Sequence, residues 1–154
     1  MTNKNKNSQP APRSSARLGA VQALYQLLQD DEASPDTVIL EFKEHRLGQE
    51  VEGDLYAPAD DEFFADIVRG ASGMRDDLHD LIGGALSKGW SVARLEKILL
   101  AILEAGSYEL KSRVDVPTAV VINEYVDVTH AFYDQTQARF VNGVLDNIAK
   151  TVRS

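Results

Sequence analysis

The spacing of apolar residues constrains the fold of this chain more than any other feature. Over most of its 154 residues, apolar side chains recur three and four positions apart, which is the period of an α-helix with one buried face. The clearest example is Val141, Val144, Leu145 and Ile148, near the end of the chain. A strand would need apolar and polar residues to alternate, and no run of convincing length does so. The sequence therefore predicts an all-α protein.

Six helices are predicted, each beginning where a capping residue or a proline precedes an apolar stripe. The predicted starts are Ser14 or Ser15, Pro35, Asp60 or Asp61, Ser91, Asp115 to Pro117, and Asp134. Trp90 and Leu95 flank Ser91 with the spacing of a hydrophobic staple. Glycines in the third helix predict a kink or a break near residue 72. Short connections between helices are typical of a compact helical bundle.

Two segments lack the helical period. Residues 48–60 contain two glycines and a proline, and we interpret them as a loop. Residues 1–13 are polar, contain two prolines and are predicted to be a disordered arm. The first 29 residues hold four cations and no acid, while the net charge of the chain is −8, so the remainder carries −12. A basic arm on an acidic body is explained either by solubility or by contact with nucleic acid.

Several function classes find no support in the composition. Cysteine is absent, so no disulfide, cysteine-based zinc site or thiol nucleophile is available, which suits a cytoplasmic protein. No apolar run reaches the length of a membrane span, and the start of the chain lacks the apolar core of a secretory signal. We therefore expect a cytoplasmic protein without a membrane partner.

Catalytic and metal-binding patterns are weak. Asp76 with His79, and Asp127 with His130, have the three-residue spacing that places two ligands on one helix face. Surface charge at helical spacing explains both pairs better than a metal site does. No serine nucleophile elbow and no glycine-rich phosphate loop occurs in the sequence. We expect no enzyme activity, no catalytic residue, no metal and no cofactor.

Five short sequence blocks carry a family resemblance. Residues 17–26 read RLGAVQALYQ, and residues 108–110 read YEL. They are followed by DVP at 115–117, INE at 122–124, and FVNGVLD at 140–146. In this order and at this spacing, the blocks resemble the NusB family. The resemblance covers the first helix and most of the C-terminal half of the chain.

The resemblance implies a fold, a function and partners. The family's fold is a helical bundle of two packed subdomains, which here correspond to about 14–88 and 91–154 within one domain, 14–154. Its members bind a short linear RNA element called boxA together with NusE, a small-subunit ribosomal protein. They help RNA polymerase in the antitermination complex to resist termination on ribosomal RNA operons. Some members pair with themselves, so self-association is left open here.

Site residues also follow from the resemblance. RNA contacts are implied at the start of the first helix and at the start of the last. These residues are Arg13, Ser14, Ser15, Arg17, Arg139 and Phe140. Tyr25 and Glu96 are implied on the RNA or partner surface. Arginines would neutralise phosphates, and Phe140 beside a cation would stack on an unpaired base. This mechanism requires the start of the first helix to lie beside the beginning of the last.

Gly143 is a further local exception. In a helix interior, glycine costs about 1 kcal/mol relative to alanine. Close approach of another helix would explain it, and so would close approach of a ligand.

Two alternatives stay open at this point. Some ribosomal RNA methyltransferases carry a similar domain at their N-terminus, although the length of this chain and its lack of a nucleotide fingerprint speak against that function. The other alternative is a protein-binding helical module without an RNA role.

Overall fold

The chain forms helices over nearly all of the part described by the computed structural model, residues 11–45, 50–51, 54–55 and 59–153. The elements, in chain order, are α1 (Pro12–Gln29), α2 (Pro35–His45), β1 (Glu50–Val51), β2 (Asp54–Leu55), α3 (Asp61–Gly73), α4 (Arg75–Ala85), a 3₁₀ helix (Val92–Arg94), α5 (Lys97–Ser112), α6 (Thr118–His130) and α7 (Gln135–Val152). The predicted all-α class is confirmed. The two strands form one antiparallel pair, two residues each.

Helix α5 is the centre of the molecule. Every residue from Leu99 to Leu110 is buried, because five other helices surround α5. Around it they follow the order α1, α6, α7, α4, α3 and back to α1, each packing on the next. Helix α2 packs outside this ring, on α1 and α3. In this arrangement α6 lies between the first helix and the last.

The directions of the helices fix which ends meet. Arg17 of α1 contacts Glu109 near the end of α5, while the carbonyl of Leu28 accepts from Lys97 at its start. Helix α1 is therefore antiparallel to α5. Asn147 of α7 donates to the carbonyl of Ala85 at the end of α4. Arg153, just after α7, donates to the carbonyl of Leu110 near the end of α5.

The start of α7 lies at the opposite end of α5. Tyr133, just before α7, donates from its hydroxyl to Glu96, just before α5, at 2.7 Å. Helix α7 is therefore parallel to α5. As a result, the first turn of α1 and the first turn of α7 lie at opposite ends of the central helix.

Most predicted helix starts are correct within a few residues. Helix α3 ends at Gly73, and α4 begins at Arg75, so the predicted break near residue 72 is confirmed. Asp134 caps α7 by accepting from the N–H of Thr136. Helix α1 begins at Pro12, two residues before the predicted start at Ser14. Proline at the first helical position has its φ already set for a helix, so no serine cap is needed.

The predicted start of the fourth helix at Ser91 is wrong. Residues Val92–Arg94 form one 3₁₀ turn, and Leu95 returns to an extended conformation with its side chain buried. Helix α5 then begins at Lys97. The predicted staple does not form because Leu95 is not in a helix. Trp90 instead contacts Phe140 of α7.

Two predictions concern the less regular segments. The interpretation of residues 48–60 as a loop missed the strand pair β1–β2, which is too short for a periodic sequence signal. Most of the predicted disordered arm, residues 1–10, lies outside the described residues, although Pro12 and Arg13 are helical. The division into subdomains near residue 89 stays a prediction. Within the described residues, no helix is both long and apolar enough to cross a membrane.

Candidate nucleic-acid interface

Arg17 is buried, with only 3% of its surface exposed. Its Nε and Nη2 donate to the two carboxylate oxygens of Glu109 at 2.8 and 3.0 Å, and its Nη1 donates to Glu124 at 3.0 Å. Glu109 also accepts a short hydrogen bond from the hydroxyl of Tyr125. The guanidinium of Arg17 thus joins α1 to α5 and α6 inside the protein, and this geometry gives no support to the prediction that Arg17 binds RNA phosphate.

The titration of this cluster agrees with a structural role. Burial alone would lower the pKa of Arg17, but the hydrogen bond and charge of Glu109 raise it above its ordinary value. Burial and the nearby charge of Glu109 raise the pKa of the Tyr125 hydroxyl well above its usual range. Arg17 therefore stays charged and Tyr125 stays neutral, which suits the hydrogen bonds that both donate to Glu109.

Arg13 is exposed and lies near two acids, Asp60 and Asp115. Its guanidinium carbon lies 4.3 Å from the ring centre of Phe63, and its Nε is 3.6 Å from a carboxylate oxygen of Asp60. It is also close enough to Asp115 to contribute to lowering the pKa of that carboxyl, a shift caused mainly by a hydrogen bond from Arg113. The local acids reduce the attraction that Arg13 exerts on a phosphate.

The neighbouring serines add little to an anion site. The Ser14 hydroxyl donates to Glu124 at 2.6 Å, so its proton is already engaged. Ser15 is half-buried in the first turns of α1. Together with Glu124 and Asp127, Ser14 lines a pocket between α1 and α6 whose charged groups are acidic. The start of α1 therefore offers a poor surface for RNA.

The structure does not place the predicted cations and aromatic ring side by side. Arg17 lies beside Glu109, whereas Phe140 lies beside Trp90 in the segment before α5. The start of α1 and the start of α7 are at opposite ends of α5, with α6 between the two helices in the ring. The expectation that these two starts are adjacent is wrong.

A second aromatic and basic surface lies around Phe140. The ring centres of Trp90 and Phe140 are 6.2 Å apart, and the guanidinium carbon of Arg94 lies 5.3 Å from the ring centre of Trp90. Arg139, beside Phe140 in the chain, is exposed. Lys88 is exposed two residues before Trp90. We call Lys88, Trp90, Arg94, Arg139 and Phe140 the Trp90 patch.

The arginines of the Trp90 patch differ from most of the other arginines that the structure describes. Among the described residues, Arg94 and Arg139 form no ion pair with a carboxylate. Residues 87–95 contain two cations and no acid, although the chain as a whole is acidic. Unpaired cations beside exposed aromatic rings are what a single-stranded nucleic acid needs, because they meet its phosphates and its bases.

Tyr25 and Glu96 lie at the same end of α5 as the Trp90 patch. Glu96 accepts from the hydroxyl of Tyr133, and burial together with this bond raises the pKa of that hydroxyl. Tyr25 is half-buried and accepts from Gln29 at 2.9 Å. It lines a shallow pocket with Phe132. Both residues thus stay candidates for the RNA or partner surface.

Gly143 has open space around it. A Cβ atom built there meets nothing within 4 Å, so no neighbouring helix explains the glycine. Gly143 is exposed and follows Phe140 by three residues, which places the two on the same side of α7. Of the two explanations that the sequence offered, close approach of a ligand is the one that remains.

His79, one of the histidines spaced three residues from an acid, contacts a buried carboxylate of α5. His79 contacts Glu104 of α5 at 2.6 Å, and Arg75 donates to the same carboxylate at 2.8 Å. Glu104 is fully buried, so these contacts supply the hydrogen-bond partners that a buried carboxylate needs. In the part of the chain that the structure describes, no group of three or more histidine and acidic side chains could hold a metal ion.

Trp90, Arg94 and Lys88 are the functional candidates that the sequence reasoning missed. Trp90 was assigned to a staple that would have buried it, yet half of its surface is exposed. A signal was present: a lone tryptophan follows a glycine in a nine-residue stretch that has cations and no acid. Its meaning depended on contact with α7, fifty residues further along the chain.

Comparisons with known proteins agree with the fold. The family model described as NusB family matches residues 14–150. The chain is 51% identical to the transcription antitermination protein NusB of Novosphingobium aromaticivorans, and the match covers 92% of this chain and 95% of that protein.

Solved structures show the same architecture. A structure of NusB from T. maritima superposes with a TM-score of 0.73 at 27% identity, covering 92% of this chain and 93% of that one. A structure described as antitermination factors NusB and NusE in complex with double-stranded RNA gives a TM-score of 0.71 at 22% identity, covering 90% and 96%. At that identity, the second likeness speaks for the fold alone.

Proposed function

The chain belongs to the NusB family, and we propose on that basis that it is a transcription antitermination factor that binds boxA-type single-stranded RNA together with NusE. The proposal gives the chain a binding role and no catalytic one. It acts in the cytoplasm, where it joins the antitermination complex of RNA polymerase on ribosomal RNA operons.

The observation that best supports RNA binding is the Trp90 patch. It combines two aromatic rings that contact each other, Trp90 and Phe140, with three exposed cations, of which Arg94 lies over Trp90. The chain as a whole is acidic. We propose that Arg139 and Phe140 contact the RNA there, and that Tyr25 and Glu96 extend the surface toward the partner. Arg13, Ser14 and Ser15 become peripheral, because Arg13 pairs with Asp60, Ser14 donates to Glu124, and Ser15 is half-buried.

The charge of the chain supports a basic partner. Beyond residue 29 the chain carries −12, so a basic ribosomal protein is attracted to it by long-range electrostatics. A protein of this fold has been crystallised with NusE and double-stranded RNA. We propose that the species that binds RNA is the heterodimer with NusE, and that a homodimer is the competing assembly.

Binding titrations test the proposed function directly. Fluorescently labelled boxA RNA and a base-scrambled control are titrated with the chain, each with and without NusE. We expect weak binding by the chain alone and at least tenfold tighter binding of boxA when NusE is present. NusE should increase the affinity for the scrambled RNA much less than it increases the affinity for boxA.

Two results would overturn the proposal. If boxA and scrambled RNA bind equally in the presence of NusE, the chain does not recognise boxA. If the chain binds NusE but the complex does not bind RNA, the chain is a protein-binding helical module. Sedimentation of the same mixtures separates the heterodimer from the homodimer.

A further inference from the structure

We propose that Trp90 and Arg94 form a nucleotide subsite, in which Trp90 stacks on one unpaired base and Arg94 binds the adjoining phosphate. The inference rests on the proposed function, since it assigns new residues to the same RNA surface. The family resemblance drew attention to Phe140 and Arg139. Trp90 and Arg94 follow from the geometry of the structure.

Trp90 is exposed in a way that its chemistry does not favour. It is the only tryptophan in the sequence, and 51% of its surface faces solvent. Phe140, at 6.2 Å between ring centres, covers only part of it. A large apolar surface left in water signals a binding site more often than a structural role. The planar indole matches the face of a nucleobase in size and shape.

The segment that carries Trp90 is held in place before any ligand binds. Gly89 has φ of +93°, a left-handed conformation that favours glycine and turns the chain sharply. The N–H of Trp90 donates to the carbonyl of Ser87 at 3.0 Å. Arg94 donates from Nη1 to the carbonyl of Gly89 at 2.6 Å, which closes the turn. A subsite fixed in this way loses little entropy when it binds.

The local charge favours a nucleic acid over a basic protein. Arg94 is exposed and has no carboxylate partner among the described residues, so its positive charge is available. Lys88 and Arg139 add further positive charge to the Trp90 patch. A ribosomal protein rich in lysine and arginine would be repelled here, whereas a phosphodiester would be attracted. A segment of RNA is therefore the occupant that fits best.

Fluorine NMR of the single tryptophan gives a direct test. The chain is labelled with 5-fluorotryptophan, which yields one resonance, and is titrated with boxA RNA in the presence of unlabelled NusE. We expect the resonance to shift as RNA binds, with the same midpoint as the anisotropy of the labelled RNA. Addition of NusE without RNA should shift it much less.

Substitutions measure the contribution of each group. Trp90→Ala should weaken boxA binding about 5- to 100-fold, the range found when a base loses its aromatic partner, and Trp90→Phe should weaken it less. Arg94→Ala should reduce the slope of log K against log salt by about 0.7, the value for one phosphate contact on a single strand. Leu40→Ala is the matched control, since Leu40 is similarly exposed on α2.

The possible outcomes separate this inference from the proposed function. If the wild-type complex binds boxA specifically but the fluorine resonance stays unchanged and Trp90→Ala binds like Leu40→Ala, the subsite is wrong and the function stands. If the wild-type complex does not recognise boxA, the proposed function fails first. If Trp90→Ala loses NusE and the fluorine resonance shifts with NusE alone, Trp90 is a protein contact and the inference is overturned.

Discussion

Arg17 shows how a residue type can mislead when its surroundings are unknown. An arginine in the first turns of a helix, next to other cations, suggests phosphate binding, because it opposes the positive end of the helix dipole. In the structure, two glutamates offset the unfavourable interaction of Arg17 with the helix dipole. They are Glu109 of α5 and Glu124 of α6, which are 92 and 107 positions away in the sequence. Pairing over such distances has no periodic signature, so only the fold reveals it.

The first prediction concerns the stability of this cluster. Arg17→Ala leaves the carboxylate of Glu109 buried without its cation, so the free energy of unfolding should fall by about 3–5 kcal/mol. The free energy of unfolding of Arg17→Lys should lie between those of Arg17→Ala and the wild type, because lysine keeps the charge but cannot make the bidentate contact. Urea unfolding followed by circular dichroism measures both. Unchanged stability in Arg17→Ala would show that the cluster is not structural.

The second prediction uses Gly143 to separate folding from binding. Gly143→Ala should raise the free energy of unfolding by about 0.5–1 kcal/mol, since alanine favours the helix and the added methyl meets nothing. The same variant should bind boxA RNA less tightly if a nucleotide lies against this face of α7. Urea unfolding and RNA titration on one preparation give both numbers. A stabilised variant with unchanged affinity would show that the ligand does not approach Gly143.

At the scale of elements, arginine side chains from the surrounding helices form ion pairs and hydrogen bonds with α5. Arg17 of α1 pairs with Glu109, and Arg75 of α4 pairs with Glu104. Arg153, which follows α7, donates to the carbonyls of Glu109, Leu110, Arg113 and Val116 and to the hydroxyl of Thr118. The carbonyls of Glu109 and Arg113 also accept backbone N–H groups, from Arg113 and Val116, so Arg153 is a second donor to each where α5 ends.

The third prediction follows from this contact. Arg153→Ala should lower the free energy of unfolding by about 2–3 kcal/mol, because several charge-assisted hydrogen bonds to half-buried carbonyls are lost together. Lys150→Ala is the control on the same helix, where only an exposed pair with Asp146 is lost and the expected change is about 0.5 kcal/mol or less. Equal losses in the two variants, measured by urea unfolding, would contradict the role of Arg153.

The fourth prediction concerns alkaline pH. Burial and a hydrogen bond to Asp66 raise the pKa of Tyr108 to about 12, and burial raises the pKa of Tyr125 further above its ordinary value. The fold therefore favours the neutral phenols. Their contribution to the free energy of unfolding is fully present below about pH 10, the ordinary pKa of a tyrosine. The contribution of Tyr108 is lost as the pH rises through 12.

Urea unfolding at pH 8, 10 and 11 checks this sign. We expect the urea concentration at the unfolding midpoint to be lower at pH 11 than at pH 10 in the wild type. The decrease should be smaller in Tyr108→Phe, which has no phenol to ionise at position 108. The part of the tyrosine absorbance change that Tyr108→Phe removes should appear only as the protein unfolds. A wild-type midpoint that is constant to pH 11 would contradict the prediction.

At the scale of the whole molecule, the sequence predicted the fold better than the site. The period of apolar residues is a local property, so it located α1 to α7 and the break between α3 and α4. It failed at Ser91, where a cap signal precedes a 3₁₀ turn whose conformation depends on burying Leu95. Local patterns report on a segment, and this segment is shaped by its contact with α7.

The site depends on how the helices are arranged, which no local pattern contains. The family resemblance drew attention to Phe140 and Arg139, and both lie on an exposed surface that suits RNA. It also drew attention to Arg13 and Arg17, which the antiparallel direction of α1 carries to the far end of α5. Burial and acidic neighbours then make these two arginines poor phosphate contacts.

The central claim is that RNA lies at the start of α7 and not at the start of α1. Two double variants test it most directly in one titration of boxA RNA with NusE present: Arg94→Ala with Phe140→Ala, and Arg13→Ala with Ser15→Ala. We expect the first pair to weaken binding at least tenfold and the second to change it less than twofold. If the second pair weakens binding tenfold and the first does not, RNA lies at the start of α1 instead.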